Sequence, residues 1–114
     1  MTETEALFLS IAIEAAVAFA LVRGVGWGGG ARAALAATVG TLFTHPFVWH
    51  FVPRLEAAFG YAAAVALAET GVVLAESVAY RVILPLRWRR ALLASLVANA
   101  ASTGAGLAYY ALAG

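Results

Sequence analysis

Acidic, imidazole and amide side chains lie inside the most apolar stretches of this sequence. One such stretch, LFTHPFVWHF at residues 42–51, holds two histidines, a threonine and a proline among aromatic and aliphatic residues. Side chains of these types exchange protons or bind cations. The candidate residues for cation binding or a proton relay are Glu14, His45, Glu69, Glu76 and Asn99, and the supporting residues are Thr41, Thr44, Pro46, Tyr80, Ser95 and Ser102.

Three kinds of chemistry fit carboxyl groups beside an imidazole. The carboxyls are protonated, because burial disfavours their charged form; they exchange protons with His45 in a relay; or they bind a cation. Carboxylate and imidazole ligands suit Zn, Mn or Fe, so a divalent metal is a candidate cofactor with His45, Glu14 and Glu69 as its ligands. The residue types alone do not choose among these three.

The composition identifies the solvent that surrounds these groups. The chain has 114 residues, of which 64% are hydrophobic and 11% are charged, whereas soluble domains carry about 25% charged residues. A bilayer core of ~30 Å needs about 20 apolar residues per helix. We therefore predict an all-α membrane protein, a single transmembrane domain over residues 1–114. The predicted helices of its up-down bundle are 6–22, 33–52, 59–80 and 91–112.

The polar groups of the four predicted helices have similar depths. Glu14, Glu69 and Asn99 lie near the midpoints of their helices, and His45 lies about one turn from the midpoint of the second. Polar stripes that faced lipid would be costly, so we expect them to face one another. Pro46 lacks an N–H group and is predicted to kink the second helix beside His45.

Several of these residues also have a purely structural interpretation. Asn99 is a candidate for helix-packing hydrogen bonds. His50 and Tyr80 are placed by the pattern at the two membrane surfaces, and Glu76 is a candidate partner for Arg81. Glu14 and Glu69 are harder to explain by structure alone, because no arginine is expected at their depth; the structural alternative for them is pairing with a protonated His45.

The arginines predict the orientation. All seven basic residues are arginine, and six of them lie in or beside the first and third connections. The positive-inside rule therefore predicts a multi-pass protein with cytoplasmic arginine-rich loops and both termini outside. The predicted breaks between helices are the glycine-rich turn Arg23–Arg32, the segment Pro53–Glu56 and Pro85.

Motifs for other functions lack their structural context. The segment Gly24–Gly29 matches GxGxxG, but it follows an apolar helix rather than a strand. The cluster Arg87–Arg90 fits topology and anionic lipid better than nucleic acid. We therefore expect no nucleotide and no nucleic-acid partner. The similarity of Arg32–Val39 to Arg90–Val97 suggests two related helical hairpins.

Three short motifs of this chain resemble motifs found in a group of small bacterial four-helix integral membrane proteins. They are a Thr-[His or Asn]-Pro step at Thr44–Pro46, two acids before an aromatic at Glu69, Glu76 and Tyr80, and a Ser-x3-Asn-x2-Ser step at Ser95, Asn99 and Ser102. The resemblance implies that these polar positions belong together, and it carries no activity with it. It also implies a location in the bacterial cytoplasmic (inner) membrane.

Three functions remain open from the sequence. The first is binding or transport of a small cation, either a proton or a divalent metal, by a homo-oligomer whose small residues allow close packing. The second is a non-catalytic subunit or scaffold that assembles with a larger membrane partner. The third and weaker one is an intramembrane enzyme that acts on a lipid, with Glu69 and His45 as acid and base. We assign no catalytic residue.

Overall fold

The protein is a bundle of four α-helices. A computed structural model describes residues 1–113. The helices are α1 (Glu3–Gly24), α2 (Gly30–Phe59), α3 (Tyr61–Ile83) and α4 (Trp88–Ala113). Each helix packs against its neighbours in the cyclic order α1, α2, α3, α4. Short connections of this kind place successive helices antiparallel. The prediction of an all-helical fold is confirmed.

Three of the four helices are long and apolar enough to cross a membrane. These are α1, α3 and α4. The bundle is 41 Å along its longest axis, which is close to the ~40–45 Å of a bilayer with its headgroups. Large apolar side chains, including Phe43, Phe47 and Leu96, are exposed on the outside of the bundle. This surface suits a lipid environment. α2 is not among these three helices, and threonines, histidines and a proline interrupt its apolar run.

The observed helix ends correct one predicted break. Pro53–Glu56 was predicted to separate the second and third helices, but α2 continues through Pro53 to Phe59. The break is at Gly60, whose φ of +86° ends α2 and begins α3. A φ of this sign favours glycine, so Gly60 is the local stop signal. The breaks at the glycine-rich turn and at Pro85 are present.

The tightest packing lies at one end of the bundle. We call this the arginine end, because the connections Val25–Gly29 and Leu84–Arg87 and most arginines lie there; the opposite end, with Gly60 and the two termini, is the terminal end. Most residues of the fully buried core are alanines, which allow close helix approach. The core comprises Ala18, Val22, Ala33, Ala36, Ala37, Tyr80, Leu84, Leu86, Ala91 and Ala94.

Tyr80 is a predicted supporting residue of the site, and its alternative placement at the membrane surface is wrong. Its side chain is 0% exposed and belongs to the core at the arginine end. Side chains on a helix lean toward its N-terminus, so Tyr80 leans back toward Glu76 one turn away on α3. A tyrosine that belongs to the interior was mistaken for a member of a surface aromatic belt, because both positions look alike in an apolar sequence.

Candidate functional site

Two carboxyl groups from different helices meet in the interior. Glu14 of α1 is 3% exposed and Glu76 of α3 is 1% exposed. Both side chains line the same cavity and lie close to each other. Within residues 1–113 neither acid forms an ion pair, and the ion pair that is present joins His50 to Glu3 at 3.8 Å. We call Glu14 and Glu76 the acid pair.

Glu76 receives polar contacts from two other helices. The Thr44 hydroxyl on α2 lies 3.0 Å from Glu76 Oε2, and the Asn99 amide on α4 lies 3.4 Å from Glu76 Oε1. The predicted alternative, pairing of Glu76 with Arg81, is not what the structure shows. The Arg81 guanidinium instead donates to the Leu86 carbonyl at 2.9 Å.

Glu14 contacts α4 through one of its two carboxyl oxygens. The Ser102 hydroxyl lies 3.2 Å from Glu14 Oε2. Glu14 Oε1 is buried without a hydrogen-bond partner among the described residues, and so are the hydroxyl groups of Thr41 and Tyr80. Buried polar atoms without partners are uncommon in native proteins, so each of them calls for an explanation. In this chain they lie around the acid pair.

Gly40 makes room for the acid pair. A Cβ atom at Gly40 would lie 2.9 Å from Glu76 Cγ and 3.2 Å from Glu76 Cβ. α2 can therefore approach α3 at this level only because residue 40 is glycine. The sequence analysis missed Gly40, although its position four residues before Thr44 on an otherwise alanine-rich helix was a usable signal.

Asn99 both packs helices and contacts the site. Its amide donates to the Ser95 carbonyl at 2.8 Å and faces the Ser95 hydroxyl at 3.3 Å. Ser95 in turn donates to the Val73 carbonyl of α3 at 2.9 Å. This chain of contacts joins α4 to α3 and fixes the orientation of the amide toward Glu76.

Glu69 and His45 lie near the acid pair but outside it. Glu69 is half-buried beside Thr103, a residue that the sequence analysis did not identify. His45 is half-buried and stacks on Trp49, with ring centroids 6.0 Å apart. Its Nδ1 atom is buried without a partner. The relay that was predicted to join His45 directly to Glu14 and Glu69 has no hydrogen bond in this structure.

A cavity of about 250 Å³ connects these groups to the terminal end. Its inner part is lined by the acid pair, and its outer part by Tyr61 and Tyr110. His45 and Glu69 lie along its walls. At the arginine end the alanine-rich core closes the bundle. Along the bundle axis, the cavity therefore opens toward the terminal end and is closed toward the arginine end.

The predicted metal site has no cluster of ligands. Within residues 1–113 no group of three or more His, Cys, Asp or Glu side chains is arranged to hold a metal ion. His45, Glu14 and Glu69 line one cavity without converging on one point. A site for Zn, Mn or Fe thus has no geometric support among the described residues.

The chain was compared with protein-family models, with curated proteins and with solved structures, and none of them matches. The resemblance to small bacterial four-helix membrane proteins rests on the three sequence motifs alone. The geometry of the acid pair and its cavity is consequently the basis for assigning a function.

Proposed function

We propose that this chain is a small membrane transporter of cations whose transported or coupling ion is the proton, bound by the acid pair. The observation that carries the proposal is the closeness of two buried carboxyls, Glu14 and Glu76, neither of which forms an ion pair within residues 1–113. Two negative charges close together in a poorly solvated site repel strongly, which favours a proton shared by the pair.

The hydroxyl groups around the pair suit a change of protonation state. Thr44 lies 3.0 Å from Glu76 and also 3.0 Å from the Gly40 carbonyl. A hydroxyl has one hydrogen to donate and can also accept. Thr44 can therefore donate to an ionised Glu76, or accept from a protonated Glu76 while it donates to Gly40.

Glu14 likewise lies beside a hydroxyl group that is also close to a backbone carbonyl. The Ser102 hydroxyl lies 3.2 Å from Glu14 and 3.3 Å from the Asn99 carbonyl. Each acid thus faces a hydroxyl that has a backbone carbonyl as its second acceptor. A proton can bind or leave either acid while only hydroxyl hydrogens rotate, which favours rapid exchange over a permanently charged structural pair.

The remaining parts of the proposal concern topology and assembly. α2 has 30 residues, or about 45 Å at ~1.5 Å per residue, which is long enough to cross a bilayer. Its polar Thr41 and Thr44 face the cavity while Phe43 and Phe47 face outward. We propose that α2 is the fourth span, that the arginine end is cytoplasmic in the bacterial inner membrane, and that the chain acts as a homo-oligomer.

The test measures proton binding and proton movement separately. Purified protein in liposomes is examined by infrared difference spectroscopy for a carboxylic C=O band that changes with pH. Proton flux under an imposed membrane potential is followed with an internal pH-sensitive dye. The variants are Glu14→Gln and Glu76→Gln, with Glu56→Gln as the control, because Glu56 is exposed on α2 and lies outside the cavity.

We expect the carboxylic band and the flux in the unmodified protein and in Glu56→Gln. Each substitution in the acid pair should remove most of the band change and reduce flux to that of protein-free liposomes. Equal flux in all four proteins would refute the proposal. An inert chain with no titrating band, isolated together with a larger membrane protein, would instead support the subunit interpretation.

A further inference from the structure

A second recess lies on the outer surface of the bundle between α3 and α4. Its volume is about 610 Å³. We call it the α3–α4 groove. Four exposed positions of its lining carry small side chains, because residues 66, 70, 100 and 104 are Ala, Thr, Ala and Gly, and the exposed Leu74, Leu96 and Leu107 supply its larger apolar surface. A groove of this kind lies where lipid would contact a membrane-spanning bundle.

The groove and the interior cavity share part of their lining. Glu69, Asn99, Thr103 and Leu107 line both. Glu69 is half-buried, with the Thr103 hydroxyl beside it. A carboxyl group therefore lies at the point where an apolar surface groove meets the polar interior. Glu69 is two turns, or ~10 Å, from Glu76 toward the terminal end.

The other lateral groove has no such group. It lies between α2 and α3, has a volume of about 270 Å³, and contains Thr44 but no charged residue. Charge therefore distinguishes the two grooves. An occupant that needs only apolar contact would fit either groove, whereas a cationic occupant would prefer the groove that contains Glu69.

A second copy of the chain would not supply the missing cation. Six arginines lie at or beside the arginine end, and Arg54 lies near the end of α2 at the terminal end. Glu69 lies within α3 between these levels. A copy packed into the groove in a membrane would leave the Glu69 carboxyl without a basic partner, which is unfavourable in a poorly solvated interface.

We propose that the α3–α4 groove is a lateral entrance and binding site for an amphipathic cation. The ammonium group of such a molecule would bind the Glu69 carboxylate, with the Thr103 hydroxyl beside it, and its apolar body would lie in the groove against Ala100 and Gly104. The inference goes beyond the proposed function, because it needs Glu69 and the groove but no proton exchange by the acid pair.

The experiment uses two matched pairs of variants in lipid nanodiscs. The ligand is radiolabelled hexadecyltrimethylammonium, and hexadecanol is the uncharged comparison. Glu69→Gln is compared with Glu56→Gln, which removes a carboxyl elsewhere. Gly104→Leu is compared with Gly71→Leu, because a Cβ atom at either glycine meets nothing within 4 Å. Gly71 lines the α2–α3 groove and Gly104 the α3–α4 groove.

We expect saturable binding of the ammonium compound and only lipid partitioning of the alcohol. The ammonium group loses its charged partner in Glu69→Gln, so this substitution should weaken binding by at least about tenfold. Gly104→Leu should weaken it similarly by filling the groove. The Glu56→Gln and Gly71→Leu proteins should bind as the unmodified protein does.

Two outcomes would overturn the inference. One is binding that is equal in Glu69→Gln and Glu56→Gln. The other is a change in the mass of the solubilised assembly in Gly104→Leu but not in Gly71→Leu, which would identify the groove as an interface between copies. Proton exchange without ammonium binding would reject only this inference, and ammonium binding without proton exchange would reject only the proposed function.

Discussion

Replacement of Gly40 by alanine tests the close contact that positions the acid pair. The new Cβ atom would lie 2.9 Å from Glu76 Cγ, 3.2 Å from Glu76 Cβ and 3.5 Å from Glu76 Cδ. The first distance is too short for two carbon atoms, whose optimal separation is ~3.5–4.0 Å. Either the Glu76 side chain or α2 must therefore move by roughly half an ångström or more.

Two opposing effects set the change in the free energy of unfolding that Gly40→Ala causes. Alanine stabilises a helix interior relative to glycine by about 1 kcal/mol. Overpacking of a well-packed interior costs about 1–3 kcal/mol. Gly71→Ala provides the first effect alone, because its Cβ atom meets nothing within 4 Å. Gly71→Ala should thus be stabilising by up to about 1 kcal/mol, and Gly40→Ala should be less stable than Gly71→Ala by about 1–3 kcal/mol.

The assay is reversible unfolding in mixed micelles, with the free energy of unfolding measured for both alanine variants under the same conditions. Proton flux provides a second measurement, because displacement of Glu76 would lengthen its contact with Asn99, which is already 3.4 Å. Flux should fall in Gly40→Ala and not in Gly71→Ala. If the two variants gain stability equally, then α2 and α3 do not approach at Gly40, and the described acid pair is wrong.

Three further substitutions test individual contacts by their free energy of unfolding. Tyr80→Phe removes a buried hydroxyl that has no partner, so it should be neutral or stabilising by about 1–3 kcal/mol; a loss of stability would show that the hydroxyl has a partner. Ser95→Ala removes the 2.9 Å hydrogen bond to the Val73 carbonyl and should destabilise by about 1 kcal/mol; no change would mean that this bond does not join α3 to α4. Glu3→Gln removes an exposed contact with His50 and should change stability by less than about 0.5 kcal/mol; a larger loss would mean that the pair is more ordered than its exposure indicates.

Helix number was predictable because apolar runs and glycine or proline breaks are strong signals. The end of α2 was not, because the segment Pro53–Glu56 combines a proline with two charged residues, a pattern that is typical of a connection between helices. A proline removes one hydrogen bond of a helix but does not require the helix to end. Pro46 and Pro53 both lie inside α2, and the actual end is the left-handed conformation of Gly60.

The partner of Glu14 was not predictable from depth. Depth estimates placed Glu69 in the central layer, because the third helix was predicted to span 59–80. The observed ends of α3 put its midpoint at Val72, three residues from Glu69 and four from Glu76. Depth therefore does not favour either acid. Gly40 on the facing helix lets Glu76 fit, and only three-dimensional packing shows which small residue faces which acid.

Under the proposed function, a proton on the acid pair must pass the arginine end, which is packed more closely than the terminal end. Access from the terminal end already exists through the cavity, whereas access from the arginine end requires the core around Tyr80 to separate. Much of that core is alanine, including Ala18, Ala36 and Ala37. Separation of alanine faces exposes little apolar area per residue, and the hydrophobic cost is about 25 cal/mol per Å². Close packing by small residues can therefore exclude water while leaving the helices free to separate at modest cost, which is the property that a transporter needs at its closed end.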